Sequence, residues 1–88
     1  MTNKIVAIQG DPLSKLNPKT DTSIYLAIGA QKLKYRIFYY EPHNLSIINN
    51  KVLAKGHFIK FNYSNKNFFK ILEKKTINLS ISKFLLIR

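Results

Sequence analysis

The residues with the clearest chemical potential follow two apolar segments of the sequence. Gly10 and Asp11 follow the first segment, and Arg88 follows the last. Open α/β sheets bind ligands beyond the carboxyl ends of their strands, where an arginine can clamp a carboxylate through two parallel hydrogen bonds. The loop after the first segment carries Lys19 and leads to a helix start near Thr22, whose N–H groups and positive dipole end suit an anion. This pattern predicts a small anion site formed by Lys19, the helix start and Arg88.

Structural roles compete for the same residues. Asp11 can open an Asx turn before Pro12, and Asp21 or Thr22 can supply the oxygen that caps the helix N-terminus. Arg88 taken alone is typical of a solvated residue after a strand. From the residues alone, these structural roles are favoured over a site.

No motif for catalysis or metal binding is present in the sequence. His43, predicted in a loop, and His57, predicted in a strand, lack metal-ligand spacing to each other or to a carboxylate. Cysteine is absent, which excludes disulfides, zinc ribbons and a thiol nucleophile. Phosphate-binding glycine loops, the nucleophile elbow and the H-E-x-x-H pattern are also missing. We therefore predict no catalytic residue and no metal ligand.

Three short apolar runs predict buried strands, at residues 4–8, 35–40 and 83–88. Glu41-Pro42 is expected to end the second strand. Asn49-Asn50 lies between two further apolar runs, and asparagine tolerates positive φ, so a β-hairpin with a type I′ turn is predicted there.

Two helices are predicted between these strands. The first starts at Thr20, Asp21 or Thr22, and the second runs from about Asn65 to Lys75. The apolar face of the first helix comprises Ile24, Leu26, Ala27, Ile28, Ala30 and Leu33. The order β-α-β, hairpin, α, β predicts an α/β fold with a mainly parallel sheet and a β-hairpin.

Length and charge define the class of protein. The 88 residues allow one domain, and 15 Lys plus Arg against 4 Asp plus Glu give a net charge of +11. A protein with such a positive charge can bind a nucleic acid or an anionic membrane. However, the excess is 13 lysines against 2 arginines, with 12 isoleucines and 9 asparagines, which is typical of AT-rich codon usage. No apolar run is long enough for a membrane span or signal peptide, so a cytoplasmic protein is predicted.

An ordered set of short motifs gives the sequence a family resemblance. The motifs are Asp11-Pro12, Asn17, Lys19, Asp21-Thr22-Ser23, Ala30-Gln31, Tyr35, Tyr39, Glu41, Leu45, Ile47-Ile48-Asn49 and Leu85-Leu86-Ile87-Arg88. At this spacing, over nearly the whole chain, they resemble the N-terminal domain of prokaryotic glutathione synthetases. The resemblance implies a partial Rossmann-like, three-layer unit of the pre-ATP-grasp type.

The resemblance also implies a function. Glutathione synthetase uses ATP to activate the cysteinyl carboxylate of γ-glutamylcysteine, which glycine then attacks. The N-terminal domain helps to bind the dipeptide, and Arg88 matches the arginine that contributes there. Lys19 stands one place before the position, here Thr20, where the family often carries lysine. ATP and Mg²⁺ are bound by later ATP-grasp domains of a homo-oligomeric enzyme, so no cofactor is expected on this segment.

The sequence departs from the family pattern in its first helix and at its end. Gly29 replaces a glutamate, and Lys32-Leu33-Lys34 replaces a turn that ends in glycine, so loss of the usual helix cap is expected. Residues 1–88 stop before the ATP-grasp domains, which predicts a single incomplete domain, inactive alone, of a truncated or split enzyme. A split enzyme requires a companion ATP-grasp chain. The alternatives are the product of a decaying gene, another ATP-grasp ligase and a small basic nucleic-acid-binding domain.

Overall fold

The computed structural model describes residues 4–16, 22–62, 68–81 and 84–87, which form one helix and five strands. In chain order they are β1 (Ile5–Gln9), α1 (Thr22–Lys32), β2 (Arg36–Ile48), β3 (Lys51–Phe61), β4 (Phe69–Asn78) and β5 (Phe84–Ile87). Two short 3₁₀ turns occupy Leu13–Lys15 and Leu79–Ile81. The three predicted strands and the first helix are therefore confirmed, and β1 and the first part of β2 are buried as predicted.

The five strands form one mixed sheet in the order β4-β3-β2-β1-β5. β1 pairs in parallel with both β2 and β5, whereas β2, β3 and β4 pair antiparallel. The α/β class is confirmed, but the sheet is not mainly parallel. The reason is the long hairpin: β2 continues directly into β3 without a crossover helix, and β4 then turns back along β3.

The second predicted helix is wrong over its described part. Residues 69–78 form β4, which pairs with β3 from Phe61↔Phe69 to Leu53↔Asn78. The apolar residues at 68, 69, 71 and 72 fit a helical face and a strand equally well in so short a segment. Leu72 is the extra residue of a β-bulge. Phe68 is buried, but Ile71 and Leu72 are half exposed, so only part of the apparent helical face lies in the core.

Pro42 does not end β2 as predicted, and His43 lies within β2 instead of in a loop. The ladder with β3 runs to Tyr40↔Gly56 and resumes at Leu45↔Ala54. Residues 41–44 thus stand opposite the single residue Lys55 in an enlarged bulge. A proline is tolerated there because a bulged residue need not donate a ladder hydrogen bond.

The predicted hairpin is confirmed. Ile48 pairs with Lys51, and the two connecting asparagines have φ of 51° at Asn49 and 65° at Asn50. Positive φ at both central residues defines the type I′ turn, whose twist matches that of the flanking strands.

α1 packs on one face of the sheet through a narrower stripe than predicted. Ile24, Ala27 and Ile28 are buried, while Leu26 and Leu33 are exposed. The helix-side cluster comprises Val6, Ile8, Ile24, Ala27, Ile28, Ile37, Tyr39, Ile59, Phe61 and Phe68. Gln31 extends this stripe by one turn and makes two hydrogen bonds to the backbone of Phe61, with N···O distances of 3.0 and 2.8 Å. These bonds tie the end of α1 to the end of β3.

A second cluster lies on the other face of the sheet. This far-side cluster comprises Ile5, Ala7, Phe38, Tyr40, Ala54, Phe58 and Ile77. The rings of Phe38 and Phe58 meet edge to face at 5.1 Å, and the Arg36 guanidinium lies 3.9 Å from the centre of the Phe58 ring. The described residues place a helix on the helix side only, so the expected Rossmann-like, three-layer arrangement is not confirmed.

Candidate functional site

β1 and β5 bring their carboxyl ends to one edge of the parallel part of the sheet, beside the middle of β2. Gln9, at the end of β1, pairs with Tyr40 of β2 on one side and with Ile87 of β5 on the other. Such an edge is where open α/β sheets bind ligands. Arg88 is the next residue in the sequence after Ile87, but it lies outside the described residues. Lys19 and Asp21 also lie outside them.

The chain leaving β1 is held rigidly against β2. The Gly10 N–H donates to the Tyr40 carbonyl at 3.1 Å, which continues the parallel ladder by one residue. The Tyr39 hydroxyl then donates to the Asp11 carbonyl at 2.6 Å. A Cβ atom at position 10 would collide with that hydroxyl, so glycine is required for this close approach. No local sequence pattern indicates the hydrogen bond from Tyr39, because it joins residues 28 positions apart.

Of the three residues predicted to open the loop or to cap the helix, Asp11 and Thr22 are described, and both lie at this edge. Asp11 is exposed, and the fixed part of the residue is its carbonyl group. α1 begins at the exposed Thr22. Because α1 connects two parallel strands, it runs antiparallel to them and starts at their carboxyl edge. The Asx turn and the cap remain predictions.

A polar cleft opens beside the fixed loop. It has a volume of about 260 Å³ and lies between residues 12–14 and the part of β2 and β3 that flanks the bulge. Its polar lining comprises Ser14, Tyr39, Glu41, Asn44 and His57. His57 pairs with Tyr39 across the ladder, and this places its side chain on the helix side of the sheet.

Sequence reasoning did not find this cleft. The sequence pattern places His57 in a strand and Glu41 at a strand stop and among the family motifs, but it assigns neither residue to a site. The usable signal was Pro42 inside an otherwise strand-like segment, because proline in a strand marks a bulge or an edge. Bulges are common beside functional sites, where they redirect side chains.

Charge is distributed over both faces of the sheet. Lys74 and Lys75 are both exposed and are successive residues of β4, so they point to opposite faces. Glu41 Oε1 lies 3.8 Å from His43 Nε2 at the cleft, and Glu73 Oε1 lies 3.8 Å from Arg36 Nη2 on the far side. The described residues contain no group of three His, Cys, Asp or Glu side chains that could hold a metal ion. None of the described helical segments is long and apolar enough to cross a bilayer.

The parallel core, the crossover helix and the open carboxyl edge define an α/β domain of the kind that binds small ligands at strand ends. Residues 5–88 match the family model of the prokaryotic glutathione synthetase N-terminal domain. The chain belongs to this family.

Curated relatives agree with the family match. The chain is 31% identical over 78 residues to glutathione synthetase of Buchnera aphidicola subsp. Baizongia pistaciae. The aligned segment covers 89% of this chain and 24% of the relative. It is 32% identical over 78 residues to that of Wigglesworthia glossinidia brevipalpis, covering 89% and 25%. For Shewanella oneidensis the identity is 31% over 78 residues, covering 89% and 25%. The chain thus spans about a quarter of the length of these relatives.

Proposed function

We propose that this chain supplies part of the γ-glutamylcysteine site of a glutathione synthetase. The observation that carries the proposal is the parallel pairing of β5 with β1, which ends at Gln9↔Ile87. The family arginine, Arg88, is the next residue in the sequence after Ile87. A guanidinium at this edge is suited to a carboxylate of the dipeptide, and Lys19 supplies a second positive charge.

ATP and Mg²⁺ act elsewhere in the proposed enzyme. The described residues provide no cluster of carboxylates or histidines for Mg²⁺, so we assign no step of ATP chemistry to them. The ligation itself belongs to ATP-grasp domains, on the same or a companion chain, in a cytoplasmic homo-oligomer. The 88 residues by themselves are therefore expected to form no glutathione from ATP, glycine and γ-glutamylcysteine.

Nucleic-acid binding is the weaker candidate. A nucleic-acid surface requires clustered cations on one face, preferably arginines. Lys74 and Lys75 instead face opposite sides of the sheet, and Arg36 packs on the Phe58 ring. No described feature favours a polyanion over the small anion of the proposal.

Calorimetric titration of the chain with reduced γ-glutamylcysteine tests the proposal. Arg88→Gln is expected to weaken binding about tenfold or more, since a charged hydrogen-bonding partner contributes about 1.5–3 kcal/mol. Lys19→Gln is expected to weaken it less. Arg36→Gln is the matched control, because Arg36 starts β2 at the opposite edge of the sheet. Equal affinity of Arg88→Gln and the unmodified chain would contradict the proposal.

A further inference from the structure

The cleft beside the first loop has a lining suited to a particular ligand group. Glu41 supplies a carboxylate, while Ser14, Asn44 and His57 supply hydroxyl, amide and imidazole groups that donate hydrogen bonds. An ammonium group requires an acceptor such as Glu41, and a carboxylate requires donors such as the other three. The lining is therefore complementary to an α-amino acid group, which carries one ammonium and one carboxylate on the same carbon.

The walls of the cleft are fixed by the fold. On one side, the Tyr39 hydroxyl holds the Asp11 carbonyl, and the following 3₁₀ turn is closed by the Lys15 N–H, which donates to the Pro12 carbonyl at 2.8 Å. On the other side, the bulge at residues 41–44 is enclosed by the paired positions Tyr40↔Gly56 and Leu45↔Ala54. Fixed walls reduce the conformational entropy lost when a ligand binds.

Glu41 retains capacity for a ligand. Its side chain is 32% exposed, and its ion-pair partner is the 72% exposed His43 at 3.8 Å. That separation exceeds the roughly 2.7–2.9 Å of a direct charge-assisted hydrogen bond. A bound ammonium can therefore approach Glu41 more closely than His43 does.

We propose that this cleft binds the α-amino acid end of the γ-glutamyl group, with Glu41 accepting hydrogen bonds from the ammonium. This inference rests on the proposed function, since it names where one end of the dipeptide lies. The cleft lies beside β2, and the end of β5 at Ile87 is two strands away. Two strand spacings are about 10 Å, and an extended chain of about three residues' length covers the same distance. γ-Glutamylcysteine, whose γ-linkage lengthens its backbone, is thus long enough to reach from the cleft to the end of β5.

The test compares two ligands on matched variants of the chain. γ-Glutamylcysteine and its N-acetylated form, which lacks the ammonium charge, are titrated calorimetrically into the unmodified chain, Glu41→Gln and Glu73→Gln. Acetylation is expected to weaken binding to the unmodified chain about tenfold. Glu41→Gln is expected to weaken binding of the free dipeptide to a similar extent and to remove most of the effect of acetylation. Glu73→Gln makes the same chemical change on the far side of the sheet and is expected to behave like the unmodified chain.

The outcomes separate this inference from the proposed function. If the dipeptide binds with dependence on Arg88 but equally with and without acetylation, the inference is overturned and the proposed function stands. If Glu41 and the ammonium matter but Arg88→Gln has no effect, the proposed anchor fails and the cleft assignment stands. Absence of dipeptide binding to a folded chain overturns both. Should Glu41→Gln fail to fold by circular dichroism, the acetylation effect on the unmodified chain decides the question.

Discussion

Two adjacent tyrosines of β2 have opposite hydrogen-bonding environments. The Tyr39 hydroxyl donates to the Asp11 carbonyl and fixes the loop at the candidate site. The Tyr40 hydroxyl is buried in the far-side cluster and has no hydrogen-bond partner among the described residues. Burial raises the pKa of the Tyr40 phenol above its ordinary value of 10.0, so the group remains neutral at physiological pH. One hydroxyl thus stabilises the fold, whereas the other adds a desolvation cost.

The same substitution at these two positions is expected to have effects of opposite sign. Tyr39→Phe should lower the free energy of unfolding by about 1 kcal/mol, because it removes a hydrogen bond and leaves the Asp11 carbonyl without that donor. Tyr40→Phe should raise it by about 1 kcal/mol, because it removes a buried, unpaired hydroxyl without leaving a large cavity. Urea unfolding followed by circular dichroism measures both. Destabilisation of similar size at both positions would contradict the account.

The sequence predicted the strand positions of these residues but not their partners. The run of apolar and aromatic residues from Ile37 to Tyr40 is a local pattern that predicts a strand directly. The contact between Tyr39 and Asp11 depends on how α1 returns the chain to the sheet, which no local pattern specifies. The same holds for Gln31. It belongs to one of the motifs of the family resemblance, and its side-chain amide forms hydrogen bonds with the backbone of Phe61, 30 residues away.

The end of α1 shows a helix cap made without glycine. Lys34 has φ of 71°, its N–H donates to the Gln31 carbonyl at 3.0 Å, and the Tyr35 N–H donates to the Ala30 carbonyl at 3.1 Å. These two bonds define a Schellman motif. The expected loss of the cap is therefore wrong, because the lysine adopts the left-handed conformation at some cost in strain.

Lys34→Gly is expected to stabilise the chain by about 1 kcal/mol, since glycine adopts positive φ without the steric penalty of a Cβ atom. Lys32→Gly is the matched control. It makes the same change inside the last turn of α1 and should destabilise by about 1 kcal/mol. Thermal and urea unfolding of both variants measure the effect. Destabilisation by Lys34→Gly would show that the strain at this cap is negligible.

Elements specified by local chemistry were predictable, whereas β4 was not. The asparagine pair fixes the hairpin turn through its tolerance of positive φ, and both residues are in the turn as predicted. Residues 68–72 carry no comparable local signal. Pairing with β3 along its whole length, and the bulge at Leu72, determine that this segment is a strand.

The two parts of the sheet contribute different features to the candidate site. The parallel part, β2-β1-β5, brings the ends of β1 and β5 to one edge beside Tyr40 of β2, while the antiparallel part, β2-β3-β4, forms the wall that carries the polar cleft. The sequence predicted the edge, because apolar strands followed by Gly10-Asp11 and by Arg88 are recognisable. It did not predict the wall, because that required the antiparallel course of β3 and β4.

The proposed binding of γ-glutamylcysteine across the carboxyl edge of this sheet can be tested directly. The most direct measurement is titration of the isotope-labelled chain with the dipeptide, with binding mapped by amide chemical shifts. The account predicts saturable shifts at residues 10–14, 41–44 and 56–57 and at Arg88, with little change at Arg36, Lys60 and Lys70 near the opposite edge. Saturable shifts confined to that opposite edge, or none at either, would contradict it.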